Sequence, residues 1–207
     1  MPNLPPGFPL PDHRYSWRRQ TWPAYVQLMK RTDWPIFVGP WYGEVGFECL
    51  YWIPFLHELM GRGISPERVI PISRGGAAVW YGTPQGLELY AMRSVQDVRI
   101  HVREQRAKTG VLKQITVTDF DRRVLADAAE TMGVRRYHVV HPAWMYHTLA
   151  QYWTGHKGVT WLAPRTRYHL IAPPPLPDGL TLPEAFVAVK FYGRDVTFPS
   201  NHKHVRP

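Results

Sequence analysis

The chain has 207 residues, 44% of them hydrophobic, and a formal net charge of +9 at pH 7, so it can bury one good core with a small appendage. No run approaches the roughly 18 apolar residues of a membrane span, and the proline-rich start lacks the basic and apolar regions of a signal peptide. The charge favours anionic partners, but the basic residues lie in short, scattered clusters without a nucleic-acid motif, which makes nucleic acid the less favoured partner.

Residues 1–33 combine a proline-rich arm with a short helix. Five prolines lie within the first 13 residues, a composition typical of an extended arm. Apolar residues at near-helical spacing then predict a helix that Pro23 interrupts.

The stretch that follows predicts a strand, a turn and a helix in that order. The apolar residues 35–38 indicate a buried strand, and a turn punctuated by Gly39, Gly43 and Gly46 comes next. Apolar residues then recur at near-helical spacing as far as Met60. This order is the first half of a βαβ unit.

Cys49 lies within that predicted helix and is the only cysteine of the chain. A single cysteine excludes an intrachain disulfide and favours a reducing compartment, so we expect a cytoplasmic protein. The apolar neighbours of Cys49 favour a buried, inert thiol over a nucleophile.

The next residues repeat the alternation of strands and helices. Residues 68–72 predict a second strand that ends in a glycine turn, and Thr118 has the character of a helix N-cap. Residues 137–140 predict another strand, and residues 143–153 a helix. We therefore predict an α/β fold for residues 34–171: a Rossmann-like, open, mainly parallel sheet with flanking helices.

Two segments of this domain are less clearly patterned. Residues 94–109 are charged and fit an exposed helix or a loop, while the alternation of valine and isoleucine between Val98 and Val102 also permits a strand. Residues 113–117 read as a short strand.

A proline-rich linker, residues 172–184, separates this domain from the last part of the chain. Residues 185–207 contain one strong strand pattern, at 186–191, with no partner strand after it. We expect this part to be the start of a second, truncated domain, present either as a fragment or as an arm that completes a sheet elsewhere.

Ligands of open α/β sheets bind at the turns that follow the carboxyl ends of the strands. The first such turn contains Tyr42, Gly43, Glu44 and Gly46, with Glu48 just beyond it, and we predict these as site residues. Glu44 is the candidate general base, because a carboxylate within hydrogen-bond reach of an acceptor hydroxyl can remove its proton. In the alternative, Glu44 caps the helix and Glu48 only interacts with the helix dipole.

Cations at two other strand ends are candidate anion contacts. Arg74 and Gly75 lie in the turn after the second strand, where glycine permits close approach of a ligand to the backbone. Lys190, Arg194 and Asp195 flank the end of the last predicted strand, where cations could neutralise a departing diphosphate. The alternative in each case is ordinary surface charge at a strand end.

Several familiar sites are excluded by their motifs. The first glycine turn matches neither the phosphate-binding loop of nucleoside triphosphatases nor the dinucleotide-binding fingerprint. Ten histidines are present, but no zinc motif and no cysteine–histidine framework accompanies them, so we expect no metal. No serine-hydrolase nucleophile motif is present.

Two segments resemble bacterial GT-B-type glycosyltransferases. FVGPWYGEVGFE, residues 37–48, resembles their N-terminal turn, where a strand gives way to Gly-Glu-x-Gly-aromatic-Glu. FVAVKFYGRD, residues 186–195, is similar to the strand that opens their second domain. It is also distantly similar to a fucosyltransferase strand that ends in His-x-Arg, with Lys190 at the position of the histidine.

The resemblance implies a role for each part of the chain. GT-B enzymes have two facing Rossmann-like domains, of which the N-terminal one usually holds the acceptor and the C-terminal one the nucleotide-sugar, and many need no metal. This chain would then be the acceptor half, incomplete as it stands, with a nucleotide-sugar donor and a carbohydrate or other hydroxyl acceptor as partners and no cofactor. The rival hypotheses are a non-catalytic basic module that binds nucleic acid or polysaccharide, and a purely structural domain.

Overall fold

A computed structural model describes residues 21–110 and 113–169. Four of the predictions lie outside the described residues: the proline-rich arm, the linker at 172–184, the strand at 186–191 and the site residues Lys190, Arg194 and Asp195.

The described residues form a four-stranded sheet in which every strand pair is parallel, in the order β3-β2-β1-β4. The strands are β1 (Ile36–Val38), β2 (Val69–Ser73), β3 (Leu87–Glu88) and β4 (His138–Val140). Every residue of β1, β2 and β4 is buried, as expected for parallel strands covered on both faces. The predicted α/β class with a parallel sheet and flanking helices is confirmed.

Nine α-helices lie in the described residues. They are α1 (Thr21–Lys30), α2 (Val45–Phe47), α3 (Ile53–Gly61), α4 (Leu89–Met92), α5 (Val95–Thr109), α6 (Asp119–Thr131), α7 (Pro142–Thr148), α8 (Ala150–Trp153) and α9 (Val159–Leu162). A π-helical segment (Glu48–Trp52) joins α2 to α3, and 3₁₀ turns lie at Pro66–Arg68, Ala77–Tyr81 and Ala163–Arg165.

Two apolar clusters cover the two faces of the sheet. One contains buried residues of α1, α3 and α7 together with Ile36 and Val38 of β1. The other contains buried residues of α5 and α6 together with Phe37 of β1. Successive residues of a strand point to opposite faces, so β1 contributes to both clusters and holds the centre of the domain.

The π-helical segment follows from the position of Pro54. Proline has no backbone N–H, so the Leu50 carbonyl cannot accept the usual helical hydrogen bond and instead accepts one from the Tyr168 hydroxyl at 2.7 Å. The Ile53 N–H donates to the Glu48 carbonyl, five residues back, which closes a π turn. The extra residue in this turn directs Glu48 into the core and Cys49 outward, so the prediction of a buried Cys49 is wrong.

The two ambiguous segments are also settled. Residues 95–109 are a helix, because Ser94 and Asp97 form a capping box at its start and Gly110 ends it in the left-handed conformation. The strand predicted at 113–117 is wrong. Residues 113–117 form no strand, and the Ile115 N–H donates locally to the Lys113 carbonyl at 2.8 Å. The Gln114 side chain instead bonds the turn after β1, where its amide donates to the Pro40 carbonyl at 2.7 Å and accepts from the Tyr42 N–H at 3.2 Å.

His138 of β4 makes the stability of the domain sensitive to acid. Its ring stacks on Trp34 with 5.3 Å between centroids and its Nε2 lies 2.7 Å from the Thr32 hydroxyl. Burial, aided by the charge of Arg68, lowers the pKa of His138 to about 4. The unfolded chain therefore binds an extra proton between pH 6.5 and 4, and the free energy of unfolding falls as the pH decreases through this window.

We expect His138→Gln to remove this share of the pH dependence. The share amounts to roughly 2 kcal/mol between pH 7 and 5. Urea unfolding at the two pH values measures it, with His156→Gln, at an exposed histidine, as the control. Equal pH dependence in both variants would contradict the assignment to His138.

None of the helices in residues 21–110 and 113–169 is both long enough and apolar enough to cross a membrane.

A candidate ligand site at the carboxyl edge of the sheet

The turns after β1, β2 and β4 meet at one edge, because all the strands are parallel. The chain passes from β1 outward to β2 and β3 and then returns to β4 on the other side of β1. The strand order therefore reverses between β1 and β4, which is where open α/β sheets form their ligand crevice.

Arg74 ties the turn after β2 to the turn after β1. Arg74 is 8% exposed, and its guanidinium donates to the carbonyl of Trp41 at 3.5 Å and to the carbonyl of Gly43. Arg74, which was predicted to contact an anion, therefore has a structural role, because these hydrogen bonds fix the path of the glycine turn after β1.

The neighbouring glycines hold a carboxylate of the chain itself. The N–H groups of Gly75 and Gly76 donate to the two carboxylate oxygens of Glu88 at 3.1 and 2.9 Å. Both glycines have positive φ angles, of 63° and 74°, which turn their N–H groups to the same side. Any ligand anion at this turn would compete with Glu88.

Glu48 lies in the interior between the first two turns. Its Oε1 accepts hydrogen bonds from the Ser73 hydroxyl at 2.5 Å and the Tyr81 hydroxyl at 2.6 Å, while no described residue donates to Oε2. Burial raises the pKa of Glu48, and the two hydroxyls and the charge of Arg74 oppose that shift. Glu48 connects the π-helical segment to β2 through its hydrogen bond with Ser73. It is fully buried, so a ligand at the surface of the sheet edge cannot contact it.

Glu44 has the opposite environment. Glu44 occupies the N-cap position of α2, as the helix-capping alternative expected, but its side chain is 62% exposed and forms no cap hydrogen bond. Its Oε2 lies 3.9 Å from the Lys113 ammonium, which in turn lies 3.0 Å from the centroid of the Phe47 ring. Partial burial lowers the pKa of Lys113, and the charge of Glu44 opposes that shift.

Aromatic rings continue from this ion pair along the edge. Phe47 lies 5.3 Å from Tyr51 and 5.5 Å from Trp153, and Tyr51 lies 4.4 Å from Trp153, all between ring centroids. Tyr146 and Tyr152 complete the group, at 6.1 and 5.3 Å from Trp153. Burial, with the charge of Glu44, raises the pKa of Tyr146. We call the Glu44–Lys113 pair and these five rings the aromatic rim.

A second polar cluster lies at the β1–β4 side of the edge. The Tyr42 hydroxyl and the His101 Nε2 are 3.1 Å apart, and the Thr118 hydroxyl donates to Asp121 at 2.7 Å. Asp121 is fully buried, with Oδ2 3.4 Å from His141 Nε2. Burial alone would raise the pKa of Asp121, but the charge of His141 and the hydrogen bonds from Thr118 lower it.

The predicted site residues within the described part of the chain all lie at or just behind this edge. Glu44 is at its surface, while Glu48 and Arg74 are internal. A methyl group added at Gly46 would meet no atom within 4 Å, so packing does not require a glycine there. Sequence reasoning missed Tyr81, His101, Asp121, His141 and Lys113, of which only Asp121 had a signal, as the partner of the N-cap Thr118.

The same part of the chain contains no group of three histidine, cysteine, aspartate or glutamate side chains that could hold a metal ion.

Comparison with known proteins gives no match to a family model, to a curated protein or to a solved structure.

Proposed function

We propose that this chain is the acceptor-side part of a GT-B-type glycosyltransferase and binds the hydroxyl-bearing acceptor, a carbohydrate or a related polyol, at the aromatic rim. The observation that carries the proposal is the Glu44 carboxylate, which is exposed and makes no cap hydrogen bond, beside a cluster of aromatic rings.

The chemistry of the rim supports this assignment. Aromatic rings offer apolar faces to the C–H surfaces of a sugar ring, and the partly exposed Tyr51 and Tyr152 add hydroxyl groups. Glu44 can accept a hydrogen bond from an acceptor hydroxyl and remove its proton as the hydroxyl attacks the donor sugar. Lys113 lies within ion-pair distance of this carboxylate, at 3.9 Å.

The location also supports it. Glu44 follows β1 at the carboxyl edge, where α/β domains bind their ligands. Residues 37–48 are also the ones that resemble the GT-B turn. The donor nucleotide-sugar would be held by the second domain of such an enzyme, so the described residues account for the acceptor only.

The test separates binding from transfer. Acceptor binding is measured by saturation-transfer NMR of the purified chain with a panel of mono- and oligosaccharides, and transfer with nucleotide-sugars as donors. We expect Trp153→Ala to weaken acceptor binding about tenfold, by loss of one stacking surface. We expect Glu44→Gln to leave binding within about threefold of the original but to lower transfer by roughly 10²–10⁴-fold.

The control is Glu130→Gln, the same change at an exposed residue of α6. A thermal melt of each variant confirms that it is folded. Absence of sugar binding would refute the proposal. Binding of short DNA that falls steeply with salt and is unchanged in Trp153→Ala would favour the nucleic-acid module instead.

A further inference from the structure

A groove of about 760 Å³ lies among α1, α3, α7, α8 and α9, on the face of the sheet that α3 covers. No residue of the aromatic rim lines it. Its volume is in the range of small-molecule sites, roughly 300–1,000 Å³.

One wall of the groove is aromatic. Trp22 stacks on Phe55 with 5.2 Å between centroids and 28° between planes, and lies 5.0 Å from Trp144. Trp161 also lines the groove, with the Arg165 guanidinium 3.9 Å from its ring centroid. Trp22 and Trp161 are partly exposed, so they present surface to a ligand.

The charged lining is cationic. Arg62, Lys157 and Arg165 line the groove, with Glu58 as the one carboxylate among the lining residues. Glu58 is already paired with Arg62, at 3.2 Å. Within residues 21–110 and 113–169, the Lys157 ammonium has no ion-pair or hydrogen-bond partner. Arg165 donates to the Trp161 carbonyl at 2.7 Å. The groove thus combines stacking surfaces with the positive charge of Lys157 and Arg165.

We infer that this groove binds a nucleoside phosphate, with the base against Trp22 and Trp161 and the phosphate on Lys157 and Arg165. A flat heteroaromatic base is the group that tryptophan faces stack on best, and Lys and Arg are the common partners of phosphate. A neutral sugar would leave the cations unused. The proline-rich residues 1–20 contain three arginines and one aspartate, so their net charge does not complement the groove.

The inference rests on the groove alone and not on the proposed transferase activity. Because the groove and the aromatic rim share no residues, one site can fail its test without the other.

The experiment is a titration of the full chain with ADP and UDP, followed by intrinsic tryptophan fluorescence and by calorimetry. We expect saturable binding. Lys157→Glu should weaken it about tenfold or more, because an opposed charge replaces a phosphate contact. Lys108→Glu, the same charge change at an exposed residue of α5, should leave the dissociation constant within about twofold, since it lies outside the groove and is screened by salt.

A second variant tests the aromatic wall. Trp161→Leu should weaken ADP binding about fivefold or more by loss of stacking. Inorganic pyrophosphate, which has no base, should bind much more weakly than ADP. The inference is overturned if no binding saturates at millimolar ADP. It is also overturned if Lys157→Glu and Lys108→Glu have equal effects, or if pyrophosphate binds as tightly as ADP.

Discussion

Replacing Asp121 with alanine is expected to lower the free energy of unfolding by about 3–5 kcal/mol. The Asp121 carboxylate is fully buried and accepts hydrogen bonds from the backbone N–H and the hydroxyl of Thr118, each at 2.7 Å. It also lies 3.4 Å from His141, across the β1–β4 side of the sheet edge. Alanine leaves these groups in the interior without their acceptor and removes the capping box of α6.

The matched control is Asp119→Ala, two residues earlier in the same helical turn. The Asp119 side chain is 90% exposed and its contact with Arg122 is a surface ion pair, so we expect a loss of no more than about 1 kcal/mol. Urea unfolding at pH 7 measures both variants. Similar losses for the two would show that Asp121 is not the internal acceptor that joins α6 to His141, just after β4.

Asp121 should also contribute to acid sensitivity. Its pKa is lower in the folded chain than in the unfolded one, so its stabilisation is complete above about pH 4, the ordinary range of an aspartate, and is lost as the pH falls through the folded value. Asp121→Asn, which retains one acceptor oxygen, should unfold with a weaker dependence on pH in this acid range.

Replacing Gly39 with alanine is expected to cost about 3 kcal/mol or more. Gly39 has a φ angle of 127°, which side-chain-bearing residues rarely adopt, and an added Cβ would lie 2.6 Å from the backbone oxygen of Ile72. A backbone atom of the central sheet cannot move aside at small cost. The Gly39 N–H donates to the Val140 carbonyl at 3.0 Å, so the strain would also reach β4.

The control is Gly46→Ala, in the same turn-and-helix segment, for which we expect the free energy of unfolding to rise instead of fall. Gly46 lies in α2, and an added Cβ would meet no atom within 4 Å. Alanine should therefore raise the free energy of unfolding by about 0.5–1 kcal/mol through its higher helix propensity. Thermal melts of the two variants check the pair. If the Gly39→Ala protein were as stable as the original, the close approach of Gly39 to the Ile72 backbone oxygen would be contradicted.

Short-range patterns were sufficient to predict much of the fold. β1 is an apolar run between Pro35 and Gly39, β2 and β4 are short, mainly apolar runs, and α6 begins at a capping box that is visible in the sequence. β3 could not be predicted, because its two residues form a strand only by pairing with Ile72 and Ser73 of β2. The outward position of Cys49 depends on the missing N–H of Pro54, which a periodicity count ignores.

The location of the candidate site could be predicted from the sequence, but the exposure and the partners of its side chains could not. Glycines and carboxylates after a buried strand correctly indicated the carboxyl edge. Whether a side chain faces solvent or the interior depends on contacts distant in sequence, such as that of Glu48 with Ser73 and Tyr81. The partnership of Glu44 with Lys113 joins residues 69 positions apart, and no local pattern indicates it.

The order of the sheet has a consequence for self-association. In the described part of the chain, the long apolar strand β2 lies inside the sheet, and the outer positions belong to β3 and β4, of two and three residues. An outer strand presents unpaired backbone donors and acceptors to which another chain can add a strand, and a strand this short presents very few. The segment VIPIS is thereby kept away from neighbouring molecules, and Pro71 at its centre removes one of the backbone donors that intermolecular strand pairing would need.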